Sequence, residues 1–183
     1  MQDEPQTVLY GDWNVPILER DWKAHPIRMP YRKTFRLRPG ESWTEAETAE
    51  KIWETYALRD DGLAVPVGAL IAGELMATGA KEAVFTELFG GRFVMVNAEL
   101  VCVPFSGELY DLIGMLRKAR GESLGGLPDV IAIFQDGRVA MREAKNVASK
   151  DRIGKNQHEF ARTAQKELGA RLDLAIVQWG RTR

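Results

Sequence analysis

Residues 128–145 read PDVIAIFQDGRVAMREAK and predict two β-strands joined by a tight turn. The apolar run from Val130 to Phe134 precedes Gln135-Asp136-Gly137, and a second run that begins at Val139 follows this turn. A three-residue loop with glycine in the left-handed position is typical of an x-Asp-Gly sequence. The stretch therefore predicts a buried β-hairpin.

The turn type also predicts the register of this hairpin. A three-residue loop pairs Phe134 with Arg138 and places Asp129 opposite Glu143. Because side chains alternate between the two faces of a strand, Asp129, Glu143 and Lys145 then share one face. A two-residue Asp-Gly loop would instead put Asp129 on the face away from Glu143, and the apolar pattern disfavours that register.

The three charged groups at the end of the hairpin have two explanations. Two carboxylates and one ammonium group are costly to bury unless they pair tightly or take part in chemistry. The simpler explanation is a structural ion pair at a solvated hairpin end. The other is a site that holds a divalent metal ion against a phosphate group. We favour the metal site because the preceding Gly125-Gly126-Leu127-Pro128 and the following basic helix also fit it.

The same residues resemble the signature of the PD-(D/E)XK nuclease superfamily, with Pro128-Asp129 followed by Glu143-Ala144-Lys145. The form Gly126-Leu127-Pro128-Asp129, with Gln157 on the next helix, is similar to the virus-type replication-repair nuclease (VRR-NUC) branch. The resemblance covers about residues 80 to 179. Two positions depart from the pattern. Ala144 stands where the family often has a β-branched residue, and Phe160 stands where the branch often has tryptophan.

The resemblance implies a restriction-endonuclease-like α/β core, in which helices flank a central mixed β-sheet. It also implies hydrolysis of phosphodiester bonds in DNA, including branched or flap DNA, and often a homodimer. Mg²⁺ or Mn²⁺ would be held by the carboxylates of Asp129 and Glu143 and by the backbone carbonyl of Ala144. Lys145 would orient the attacking water or stabilise the charge of the transition state.

Two further residues are candidates for this site. Gln157 falls on the apolar stripe of its helix, where an amide needs partners; it either binds groups near the metal or caps a buried strand end. Glu82, on a helix expected over residues 80–89, would complete the metal shell, because its spacing from the next strand resembles that in the Holliday-junction resolvases of the superfamily. Glu87 and then Glu74 are the alternatives for that role. An ordinary exposed helix charge is the simpler explanation for each.

The chain divides into an N-terminal extension, residues 1–66, and a nuclease core, residues 67–183. The extension is predicted to contain one helix over residues 42–58, which begins with a capping box of Thr44 and Glu47. A strand with a basic face is predicted over residues 31–37. The core is predicted to contain further helices and strands: helices over 67–78, 107–119 and 150–168, and strands over 92–97 and 172–177.

Composition sets the remaining limits. The 183 residues carry a net charge of −1, so any contact with DNA must come from local basic patches and bound metal. One cysteine, Cys102, and two histidines disfavour a zinc site, and the single cysteine fits a reducing cytoplasm. The resemblance implies a bacterial or phage-encoded protein. The sequence contains no run of about 18 apolar residues, so no membrane span is predicted.

Two other classes of protein stay open. One is a non-catalytic nucleic-acid-binding module with a degenerate site, which the intact set of Asp129, Glu143 and Lys145 disfavours. The other is an interaction or immunity protein in which the N-terminal third is the functional part.

Overall fold

The computed structural model describes residues 5–29, 32–36, 44–48, 52–58, 62–87, 92–96, 100–101 and 107–180. The strands in these residues are β1 (Thr7–Tyr10), β2 (Trp13–Glu19), β3 (Lys23–Met29), β4 (Arg32–Arg36), β5 (Thr44–Thr48), β6 (Ile52–Leu58), β7 (Ala64–Val65), β8 (Ala80–Glu87), β9 (Arg92–Val96), β10 (Leu100–Val101), β11 (Val130–Phe134), β12 (Val139–Asn146) and β13 (Leu172–Trp179). The helices are α1 (Val67–Ala77), α2 (Gly107–Ala119) and α3 (Lys155–Leu168). Short 3₁₀ turns occupy Val147–Ser149 and Gly169–Arg171.

An eight-stranded mixed sheet, in the order β1-β2-β13-β12-β11-β8-β9-β10, carries the main core. Strand β13 runs parallel to both β12 and β2, and the other neighbours in this sheet are antiparallel. Two smaller sheets contain β3-β6-β7 and β4-β5. The expected α/β class with a mixed sheet flanked by helices is therefore confirmed.

Helices cover both faces of the central strands. On one face, Leu116 of α2 and Phe160 of α3 pack in one cluster with Ile131. On the other face, Ile71 of α1 packs in a second cluster with Val130. Because β11 is buried along its whole length, its sequence is a continuous apolar run rather than an alternating one.

The predicted hairpin register is confirmed. Ile131 lies opposite Met141, and the N–H of Phe134 donates to the carbonyl of Arg138 at 2.9 Å, which closes a three-residue loop. Gly137 adopts φ of 80°, a conformation that glycine takes at little cost. The turn therefore sets which side chains of the two strands share a face.

The helix expected over residues 80–89 is wrong, because Ala80–Glu87 forms β8 between β11 and β9. Alanine, lysine and glutamate favour helices in isolation. Here Ala83 and Phe85 pack against one face of the sheet and Val84 against the other, so pairing with β11 overrides local propensity.

The helix expected over residues 42–58 is also wrong. Its described parts are β5, which pairs with β4, and β6, which pairs with β3. Thr44 and Glu47 thus lie in a strand rather than at the start of a helix. Strand β6 is rich in the β-branched and aromatic residues that strands favour, with the sequence Ile52-Trp53-Glu54-Thr55-Tyr56.

The N-terminal extension shares the main sheet with the core. Strand β2 pairs with β13, with Ile17 opposite Ile176, and β1 pairs with β2 at the edge. Two strands from before residue 66 therefore extend the sheet of the predicted core.

Other expected elements are confirmed: α1, α2, β4, β9 and β13. Helix α3 begins at Lys155 rather than at residue 150, because Lys150 adopts a left-handed conformation after the short turn that Asn146 caps. Cys102 lies outside the described residues.

Candidate active site

The end of the β11–β12 hairpin brings three predicted site residues together. Asp129 directly precedes β11, and its Oδ2 accepts a hydrogen bond from the N–H of Ala144 at 2.7 Å. Lys145 Nζ lies 3.0 Å from Glu143 Oε1. Glu143 and Lys145 are almost completely buried, with exposures of 1% and 6%. The predicted convergence of these groups on one face is present, and their catalytic roles stay a prediction.

Gln157 links the hairpin to helix α3. Its Nε2 donates to Glu143 Oε1, and its Oε1 accepts from Lys145 Nζ at 3.2 Å and from the N–H of Gly154 at 2.7 Å. Since Gly154 is the N-cap of α3, the same amide satisfies one free N–H of the helix and both charged groups of the site. Gln157 therefore fixes the relative position of Glu143 and Lys145.

The loop before Asp129 is held in place by close backbone packing. Gly126 has φ of 83°, and a Cβ there would lie 2.1 Å from the carbonyl oxygen of Asn156 in the first turn of α3. On the other side, the N–H of Thr86 donates to the carbonyl of Asp129 at 2.6 Å. Glycine at position 126 therefore permits the contact between this loop and α3, and β8 anchors the loop's last residue.

Burial raises the pKa of Asp129 to about 6, although the hydrogen bond from Ala144 and the charge of Lys145 lower it. Burial and the charge of Asp129 raise the pKa of Glu143 well above its ordinary value. Burial alone would lower the pKa of Lys145, but the charges of Glu143 and Asp151 outweigh burial and raise it. Burial therefore makes the two ionised carboxyl groups costly to keep side by side without a cation.

One oxygen of Glu143 fits a cation. Oε2 is buried, and no N–H or O–H group of the described residues donates to it. A buried carboxylate oxygen without a donor is costly, and a divalent metal ion bound there would remove that cost. The described residues contain no group of three or more histidine, cysteine, aspartate or glutamate side chains arranged to hold a metal. Protein ligands would therefore be two carboxylates and backbone.

The structure does not bring Glu82 to this site. Glu82 lies on β8 opposite Ile133, and Asp129 precedes β11 at its other end. The separation is four residues along the strand, or about 13 Å at 3.3 Å per residue. Glu74 lies on α1, across the sheet, where it forms an ion pair with Arg20. Glu87 ends β8 nearer the site, and its side chain lies outside the described residues.

Two residues near the site were not predicted from the sequence. Asp151, in the turn before α3, has its Oδ1 3.5 Å from Lys145 Nζ. Tyr10, the last residue of β1, is fully buried, and the charges of Glu143 and Asp129 both act on its hydroxyl. Asp151 lies six residues after Lys145 in a short loop, so an acid near the site could have been inferred from the sequence. Tyr10 reaches the site only through long-range strand pairing, which no local pattern reports.

Comparison with protein-family models, with curated proteins and with solved structures found no match to this chain. Among the helices described, none is both long enough and apolar enough to cross a membrane. The proposals below therefore draw on the geometry of the site and on the motif residues.

Proposed function

We propose that this protein is a metal-dependent nuclease of the PD-(D/E)XK type, VRR-NUC branch, that hydrolyses phosphodiester bonds in DNA. The observation that carries the proposal is the buried pair of Asp129 and Glu143 beside Lys145, with one oxygen of Glu143 left without a donor. A structural ion pair needs one acid for one lysine, whereas this site keeps two acids in contact at the cost of raised pKa values.

The ligand set for the cation follows from the hairpin. When bound, Mg²⁺ or Mn²⁺ would neutralise charge on the phosphoryl group and lower the pKa of a water molecule. Asp129 and Glu143 would bind the ion through their carboxylates. The N–H of Ala144 points to Asp129, and the carbonyl of a strand residue points to the same edge as its N–H, so Ala144 offers a backbone ligand there.

Lys145 and Gln157 would act on either side of the reacting phosphate. The ammonium group of Lys145 can donate a hydrogen bond to the attacking water or to a phosphoryl oxygen, which stabilises the charge of the transition state. Gln157 keeps this ammonium group and the Glu143 carboxylate in place. Exposed basic residues beside the first turn of α3, Lys150, Arg152 and Lys155, are available to phosphates of the flanking chain. DNA as the substrate, its branched forms, and a homodimer are proposed from the family resemblance.

The test is a cleavage screen on single-stranded, duplex, flap and four-way-junction DNA with Mg²⁺, Mn²⁺ or Ca²⁺. We expect Asp129→Asn, Glu143→Gln and Lys145→Ala each to lower the rate about a hundredfold or more, since each 1.36 kcal/mol is tenfold in rate and metal chemistry supplies several kcal/mol. Ca²⁺ should bind without supporting turnover, because its looser coordination positions water poorly.

Matched controls come from the same elements. Asp136→Asn changes an exposed acid in the turn of the hairpin, and Lys166→Ala removes an exposed lysine from the last turn of α3. Both variants should cut DNA at the wild-type rate. Undiminished cleavage in EDTA, or by the two carboxylate variants, contradicts the proposed mechanism. Binding of DNA without cleavage under any metal would indicate a nucleic-acid-binding module instead.

A further inference from the structure

Tyr10 is held between the main sheet and helix α3. Its side chain has an exposure of 0%, and its ring meets the ring of His158 edge-on, with centroids 6.1 Å apart. Its carbonyl accepts a hydrogen bond from Gln165 Nε2 at 2.6 Å, and the N–H of Asp12 donates to Gln165 Oε1 at 2.8 Å. Helix α3 therefore fixes both the backbone and the ring of this tyrosine.

The hydroxyl of Tyr10 has no partner among the described residues. Only three buried side-chain atoms in that part of the chain lack one: Tyr10 Oη, Glu143 Oε2 and Arg117 Nε. Two of the three lie beside the first turns of α3, because Tyr10 packs against the ring of His158 and the preceding residue, Gln157, donates to Glu143. The Tyr10 hydroxyl is a donor and Glu143 Oε2 is an acceptor, and each atom alone carries the free-energy cost of an unsatisfied buried polar group.

We propose that Tyr10 is a positioning residue of the active site, whose hydroxyl donates to Glu143 Oε2 through one buried water. The hydrogen-bond capacity of the carboxylate fits this assignment. Oε1 already accepts from Gln157 and Lys145, which fills its two lone pairs. On Oε2, the hydrogen bond from Tyr10 through the water would occupy one lone pair and leave the other for the cation. The carboxylate plane is then fixed on both sides.

The part of this inference that concerns the cation rests on the proposed function, and the hydrogen bond does not. A hydrogen-bonded group behind a metal ligand orients that ligand, and its loss typically weakens metal binding about 10- to 100-fold. The N-terminal strand β1 would then supply a residue to the site, and residues 67–183 alone would form an incomplete one.

The test compares Tyr10→Phe with Tyr110→Phe in the full chain. Tyr110 lies on α2, is 37% exposed and serves as the matched loss of a tyrosine hydroxyl. Calorimetric titration with MnCl₂ should show Mn²⁺ binding about 10- to 100-fold weaker in Tyr10→Phe and unchanged in Tyr110→Phe. Cleavage at saturating Mn²⁺ should fall much less than the affinity does. Equal Mn²⁺ affinity of Tyr10→Phe and wild type overturns the positioning role.

A second measurement needs no metal. Urea unfolding in EDTA of Tyr10→Phe, Glu143→Met and the double variant forms a double-mutant cycle. Non-additive shifts of the unfolding midpoint are expected if the two side chains share a hydrogen bond, whereas additive shifts contradict it. If wild type binds no Mn²⁺ while the cycle is non-additive, the proposed function fails and the hydrogen bond stands.

Discussion

Replacing Asp129 by asparagine should stabilise the metal-free protein at neutral pH, although it should abolish activity. Burial raises the pKa of this carboxyl from its ordinary value of 3.8 to about 6. At 1.36 kcal/mol for each pH unit, keeping Asp129 ionised in the folded protein costs about 3 kcal/mol. Asparagine is neutral and can still accept the hydrogen bond from the N–H of Ala144.

The sign of the pH dependence follows from proton binding. Between pH 3.8 and about 6, the folded protein holds the Asp129 proton more tightly than the unfolded chain does. The Asp129 contribution to stability therefore falls as the pH rises through this window. The free energy of unfolding of Asp129→Asn should equal that of wild type below about pH 4 and exceed it by about 3 kcal/mol above about pH 7.

Urea unfolding in EDTA, followed by tryptophan fluorescence from pH 4 to pH 8, measures this difference. Asp136→Asn is the control, because the hydrogen bond and charge of Arg138 lower the pKa of Asp136. Removing the charge of Asp136 should therefore not stabilise the protein at neutral pH. A difference between wild type and Asp129→Asn that stays constant across the pH range refutes the reasoning. So does a variant that is less stable than wild type at pH 8.

Three more outcomes are expected. Gly126→Ala should lose more than about 3 kcal/mol of stability in urea unfolding, because a Cβ there would be strained by the positive φ and would clash with α3. In the control Gly125→Ala, the Cβ meets only ordinary contacts, so this variant should lose little stability. Gln157→Ala removes three hydrogen bonds, two of them to charged groups, and should lower the free energy of unfolding by about 2–4 kcal/mol. The exposed control Gln135→Ala should leave the free energy of unfolding unchanged. An equal loss in both variants would contradict the role of Gln157. Mn²⁺ at a hundred times its dissociation constant should stabilise wild type by about 2.7 kcal/mol in thermal or urea unfolding, and Glu143→Gln should lose that gain.

Local chemistry made the hairpin predictable from the sequence. The Asp-Gly turn and the alternating faces depend on residues within one short stretch, so the opposition of Ile131 and Met141 and the convergence of Asp129 with Lys145 could be derived. Helices α1 and α2 could also be predicted, because α2 carries one apolar face and α1 is a short run of small and apolar residues that ends near Gly79.

Non-local pairing decided what the sequence did not show. Residues 80–87 contain helix formers, yet they form a strand because β9 and β11 bind both of its edges. Glu82 therefore lies away from the candidate metal site, since its place there was inferred from a helix. Tyr10 was missed for the same reason, because the residues that hold it, His158 and Gln165, are distant in the sequence.

The fold also determines when the site forms during synthesis. The hydrogen bond between Asp129 and Ala144 spans 15 residues, whereas the bond between Tyr10 and Gln165 spans 155. A chain leaves the ribosome N-terminus first, so the N-terminal strands must wait for α3 and β13 before they can dock. The acidic hairpin thus exists for a time without its supports, and a nascent chain surrounded by RNA would complete the candidate site only after β13 has been made.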